Sequence, residues 1–174
     1  FSVFTLLSIV WGKSRSFSSL PMFLCAPFGA FCFCKVTDKF SNTKNKINIF
    51  KYKIICYNRY EKGAKPTTAL IEGLNLRYGA FGSTVGHDSH NITVAGYDNE
   101  SIAKVVNAIV EMKGGMAVWD GRQIYSLPLP VGGLMSNKSI DEVSEEYMIL
   151  HNKIKELGCS LTSPLMTLAF MSLP

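Results

Sequence analysis

Histidine is scarce in this chain: 174 residues contain three, His87, His90 and His151. None stands in the helical H-E-x-x-H arrangement, which excludes the metalloprotease chemistry that spacing supports. Acids almost vanish from the first third. Before residue 61 nine Lys/Arg face one carboxylate, Asp38, whereas beyond it nine face twelve. A basic segment joined to a mildly acidic one points to two pieces of different role. The basic piece has no helical stripe and no nucleic-acid reader motif, so no nucleic-acid partner is expected. The five cysteines (Cys25, Cys32, Cys34, Cys56 and Cys159) are odd in number and crowd towards the start, which excludes a disulfide framework. Cys32 and Cys34 form C-x-C without a second pair or nearby His, so no zinc site is expected there. A reducing, cytoplasmic compartment fits this usage best. Long apolar runs are missing as well. Phe1 to Trp11 falls short of the roughly twenty residues a membrane span needs, and Leu20 to Phe33 is broken by Pro21 and Pro27. Gly79, Gly82 and Gly86 are followed by no G-K-[ST], and GSTVG is not G-x-S-x-G, so neither a phosphate loop nor a nucleophile elbow is present. No internal repeat or low-complexity tract is visible.

What is there suffices for one domain with its own core. Residues 1–45 resist a structural reading and are assigned to no domain, as a disordered or foreign segment; residues 46–174 form the domain. The chain opens on Phe1 rather than Met and closes on PLMTLAFMSLP, so both ends read as cut. Phe50 to Tyr57 alternates aromatic and β-branched residues with Lys51 and Lys53, as a half-buried strand does. Further strands are expected over Ala69–Leu76, Ala80–Val85 and Ile92–Tyr97. Asp98 or Asn99 caps a helix running to about Met112, stopped by Gly114 and Gly115. MAVWDGRQIYSL reads as two strands about a two-residue Asp120-Gly121 turn, with Trp119 and Tyr125 as cross-strand partners. Val131-Gly132-Gly133 is a flexible connector. Ser139-Ile140-Asp141-Glu142 is a capping box, and the helix behind it carries Ile140, Val143, Tyr147, Leu150, Ile154 and Leu157 as a core-facing stripe. The fold class that follows is α+β, a largely antiparallel sheet flanked by helices.

Two of the three histidines fall in GHDSHN, between two expected strands. His87, Asp88, Ser89, His90 and Asn91 thus bring imidazole, carboxylate, hydroxyl and amide into one loop. Imidazole supplies a base or a metal ligand, and a carboxylate can orient it. Loops on a rigid scaffold are where such groups tend to act. The spacing leaves three readings open: a solvated structural loop, a substrate or partner contact, and a metal site using His87 and His90. His151, on the polar flank of the last long helix, is expected to be solvated.

The run GAFGSTVGHDSHNITVAGYDNESIAKVVNAIVEMKGGMAVWDGRQIYSLPLPVGGLMS, then a capped helix, LGC and SPLMTLAF, closely resembles the C-terminal domain of adenine deaminases. Its most specific words are STVGHDSHN, SLPLPVGGLMS and PLMTLAF, and the likeness covers about Ile47 to Pro174. The resemblance implies an amidohydrolase-type enzyme of purine salvage that converts adenine and water to hypoxanthine and ammonia. It implies a manganese or iron centre held in a separate barrel that begins with an H-x-H pair, and a homo-oligomer when intact. No H-x-H occurs in this sequence. The chain alone is therefore expected to carry no such metal centre, to lack its barrel partner and to be inactive towards adenine. By the same likeness, the loop His87 to Asn91 is expected to face the barrel mouth and to approach metal or purine. The sequence departs from the family pattern at Tyr60, where Arg-His is usual, at Gly86, where Ala is usual, and in stopping at Pro174. Two other readings stand beside this one. One is a non-catalytic module of the same fold that binds a small molecule or a partner; the other is a membrane-tethered protein anchored by Leu20 to Phe33.

Overall fold

The computed structural model describes residues 51–171. The readings placed on residues 1–45, on Phe50, on the Leu20–Phe33 run, on the C-x-C pair and on the last three residues lie outside them. Six strands are present among the described residues: β1 (Lys51–Tyr57), β2 (Thr67–Glu72), β3 (Ala80–Ser83), β4 (Ile92–Gly96), β5 (Gly115–Trp119) and β6 (Ile124–Pro128). Three helices join them: α1 (Asn99–Glu111), α2 (Ile140–Glu156) and α3 (Pro164–Phe170). The strands form one sheet in the order β2-β1-β4-β3-β5-β6, and every neighbouring pair is antiparallel. The α+β class holds.

Side chains alternate across the sheet and make two cores. On one face Ala80, Val94 and Ala117 meet Ile102, Val105 and Ile109 of α1. On the other, Ile54, Phe81, Ala95, Val118 and Leu127 pack with Leu150, Ile154 and Leu157 of α2 and with Leu165 and Leu168 of α3. The sheet is thus a middle layer between helices. Trp119 and Tyr125, expected to pair across the hairpin, sit in different registers: Trp119 opposes Ile124, and Tyr125 opposes Val118. Alternation sends them to opposite faces, Trp119 beneath Lys104 of α1 and Tyr125 beneath Lys153 of α2, with the ammonium groups 4.1 and 4.9 Å from the ring centres.

Strand limits differ from expectation where the backbone has other options. β2 begins at Thr67, two residues before the expected Ala69, and ends at Glu72 rather than Leu76, because the chain enters the left-handed region at Gly73 (φ 89°) and Asn75 (φ 57°). The hairpin after β5 is longer than two residues, since Trp119 pairs with Ile124. Only Gly121 in that loop has positive φ. The Asp120 carboxylate accepts from the amides of Arg122 and Gln123, both at 2.8 Å, and so builds an Asx-type turn in place of the expected one. Burial pushes the Asp120 carboxyl up, but the amides of Gln123 and Arg122, with the Tyr125 hydroxyl and the Lys153 charge, together hold it below the usual range.

The caps are as read. Asp98 accepts from the Ser101 amide at the start of α1. At α2, Ser139 and Glu142 satisfy each other's amides. The Ser139 hydroxyl, followed by its amide, hydrogen-bonds the Glu142 carboxylate and keeps that carboxyl below the ordinary glutamate range. Replacing an N-cap serine by alanine costs about 1 kcal/mol, so Ser139→Ala should lower the unfolding free energy by that amount at pH 7, read as a lower urea midpoint at unchanged slope. A group whose folded pKa is depressed contributes above its unfolded pKa and loses the contribution as pH falls through the folded one. The difference between Ser139→Ala and the parent should therefore shrink as unfolding is measured from pH 6 down to pH 3.

The stripe on α2 is only half a core surface. Leu150, Ile154 and Leu157 are buried, but Val143 and Tyr147 are half-buried and Ile140 is 84% exposed. The helix is buried on the sheet over its second half, while in its first half Val143 and Tyr147 pack at the core's edge and leave a gap beside them. A cavity of about 350 Å³ opens in the gap, lined by Val85, Met116, Leu127, Leu129, Leu134, Val143 and Tyr147, with Ile140 at its margin.

Candidate functional site

Antiparallel pairing decides what meets at each end of the sheet. Tyr57 of β1 opposes Ile92, Ser83 of β3 opposes both Thr93 and Met116, and Gly115 opposes Pro128. One end therefore gathers the segment after β1, the loop between β3 and β4, the entry to β5 and the exit from β6. The GHDSHN loop projects from this end.

Within the loop, His87, Asp88 and Ser89 are exposed, while His90 and Asn91 are half-buried. The His87 amide donates to the Ala169 carbonyl of α3 at 3.1 Å, and its ring lies 5.0 Å from that of Phe170. His90 takes a left-handed backbone (φ 50°), and its Nδ1 accepts from the Gly86 amide at 3.3 Å, closing the loop on itself. One imidazole thus leans on α3 while the other turns back to the loop's root. Asn91 donates through Nδ2 to the Ser89 hydroxyl at 3.3 Å, and its Oδ1 is buried without a partner. Asp88 has no ion-pair partner among the described residues. His151 is half-buried, its ring 6.4 Å from Tyr147 on the helix face, away from this loop.

Sequence reasoning missed what supports the loop. Thr84, fully buried just ahead of it, reaches three backbone groups with one hydroxyl: it accepts from the Gly115 amide at 2.8 Å and approaches the Gly133 carbonyl at 2.6 Å and the Gly115 carbonyl at 3.3 Å. Arg59, two residues beyond β1, donates through Nη2 to the Gly132 carbonyl and to the Tyr60 hydroxyl. Its guanidinium lies where a Cβ on Gly133 would be, so a side chain there would displace it. The expected flexible connector is therefore a pinned turn, with Gly132 and Gly133 at positive φ and Val131 bridged to Met135. The signal was available, an arginine ending a strand and a Gly-Gly pair ending another, but it does not say that the two meet. Arg59 Nε and Thr93 Oγ1, like Asn91 Oδ1, are buried at this end without hydrogen-bond partners. Native interiors hold few such groups, and a ligand or partner is one way to satisfy them.

A metal ion needs more than this loop provides. Among the described residues no group of three or more His, Cys, Asp or Glu side chains is placed to hold one, the number of protein ligands that a catalytic zinc-type site takes. The manganese or iron that the resemblance implies therefore finds no complete shell here. Among the described residues no helix is long and apolar enough to cross a membrane.

Comparison with known proteins places these features. The family described as the adenine deaminase C-terminal domain matches residues 34–174. The adenine deaminase of Borreliella afzelii is 44% identical over 122 residues, covering 70% of this chain and 22% of its own. Adenine deaminase 2 of Carboxydothermus hydrogenoformans is 44% identical over 124 residues, again 70% of this chain and 22% of its own. The adenine deaminase of Archaeoglobus fulgidus is 35% identical over 122 residues with the same coverage. The chain spans about a fifth of the length of the curated relatives it matches.

Proposed function

Since the chain belongs to the adenine deaminase C-terminal domain family, we propose that it is the accessory domain of an enzyme that hydrolyses adenine to hypoxanthine and ammonia. The reaction belongs to purine salvage and is placed in the cytoplasm. In the intact enzyme a manganese or iron ion supplies the activated water near neutral pH. The rest of the polypeptide, a barrel by the family resemblance, holds that ion, and the intact enzyme is a homo-oligomer. The chain alone is inactive towards adenine. Its own contribution is the loop His87 to Asn91, offered towards the remainder of the enzyme.

The observation that carries this reading is the loop's construction. His87 is held by its amide and by Phe170, and among the described residues no hydrogen bond engages its ring nitrogens. Asp88 stands exposed beside it. An exposed imidazole next to a carboxylate can relay a proton or orient a polar group of a purine. Thr84 and Arg59 brace the loop's root and its neighbouring turn, so the loop is presented by a rigid base.

The test is made in the intact Borreliella afzelii enzyme, at the positions matching His87 and His90. Changing both to Ala should lower ammonia release from adenine by about 10- to 100-fold, the range typical of groups that orient a metal's ligands. Turnover and metal content both equal to the parent's would remove the loop from the active site.

A further inference from the structure

We propose that the apolar end of this domain is the surface that docks onto the rest of the adenine deaminase polypeptide, through Met135, Ile140 and the cavity between them and the sheet. The inference rests on the functional reading above and names the face that serves it.

Several observations converge on that end. Ile140 opens α2 and is 84% exposed, and Met135 in the turn before it is 61% exposed. Val131, Tyr60 and Phe170 add exposed apolar surface at the same end. The cavity is walled by Val85, Leu129, Leu134 and Val143. The helix stripe runs unbroken from Ile140 to Leu157 in the sequence, yet Val143 and Tyr147 pack only at the core's edge and Ile140 is bare. An amphipathic face built at helical spacing and left uncovered is a face built for a second surface.

Its occupant follows from size and from the apolar character of the lining. The curated relatives carry about four-fifths of their length outside the matched segment, so a large polypeptide accompanies this domain in each of them. The cavity's lining carries no charged side chain: its polar members are Ser136 and Ser144, and the remainder is apolar apart from the Tyr147 hydroxyl. The surface that fits is therefore apolar at its centre and uncharged where it enters the cavity. Val85 in the cavity wall lies two residues before His87, so docking here brings the imidazole loop to the junction.

The upstream four-fifths of the Borreliella afzelii adenine deaminase is first shown to be folded and monodisperse by circular dichroism and sedimentation velocity; the full chain is then mixed with it, and association is followed by sedimentation velocity while ammonia release from adenine is assayed. Met135→Glu with Ile140→Glu should weaken the complex at least 30-fold, since charges at an apolar interface centre are left buried and unpaired. Both sites are exposed, so thermal melting of the double variant alone should match the parent. Val110→Glu, an exposed site on α1, should leave association unchanged. A complex indifferent to the double variant, or no complex with the parent chain, overturns the proposal. Self-association of the chain that the double variant abolishes also overturns it, and assigns the face to a second copy. A complex sensitive to the double variant but releasing no ammonia upholds the docking face and sinks the functional reading instead.

Discussion

Phe81→Ala should cost about 3–5 kcal/mol, seen as a fall in the urea midpoint of the chain without a change in slope. Phe81 is fully buried on β3, the strand between β4 and β5, and is among the largest side chains with no exposure. Its neighbours across the sheet are Ala95 and Val118. Alanine already occupies one of these positions, so little bulk lies beside the ring to collapse into the space it leaves. The helices above it are fixed at several points each, which limits how far they can settle. Domains of this size have about 5–15 kcal/mol of stability in all, so this single truncation removes a large share. A loss below about 1 kcal/mol would mean that the two helices on that face are not packed as described.

Gly115→Ala should be comparably damaging, about 3–5 kcal/mol from left-handed strain and overpacking together. Gly115 starts β5 with φ 138°, a conformation L side chains rarely adopt. A Cβ there would strike the Leu127 carbonyl oxygen, a backbone atom held in the β5–β6 ladder that cannot swing aside. Relief by moving Gly115 would break its amide's bond to Thr84 and disturb the turn at Gly133. The expected readout is therefore double: a lower unfolding midpoint, and faster hydrogen exchange over residues 129–136 under native conditions. An alanine variant with parental stability would show that this strand entry has room the structure denies it.

Most of the architecture was legible in the sequence because it is locally encoded. Asp98, Ser139 and Glu142 mark helix starts by chemistry confined to one turn, and those starts are where they were expected. Alternation in Lys51 to Tyr57 marks a strand for a similar reason. What escaped depends on meetings between distant segments. Trp119 and Tyr125 looked like partners until the register sent them to opposite faces. Asp120-Gly121 suggested the shortest hairpin, but the Asp120 carboxylate found two amides further on and lengthened the loop. The stripe on α2 was read as core-facing, which holds from Val143 to Leu157 but not at the exposed Ile140, since periodicity reports which face is greasy and not what covers it. Of the candidate site, the residues of the loop were visible in sequence. Its bracing by Thr84 and Arg59, which reach 49 and 73 residues along the chain, was not.

The strand order has a consequence for where this domain can be cut. β2 pairs with β1 alone, while β1 also pairs with β4. A chain that began after Tyr57 would therefore lose two strands rather than one. β2 would keep its sequence but have no ladder to join, and the freed edge of β4 would present unpaired amides and carbonyls to any passing strand. The smallest piece that keeps the sheet whole is therefore set by its first strand, and a truncation only a few residues too deep exchanges a folded domain for a sticky one.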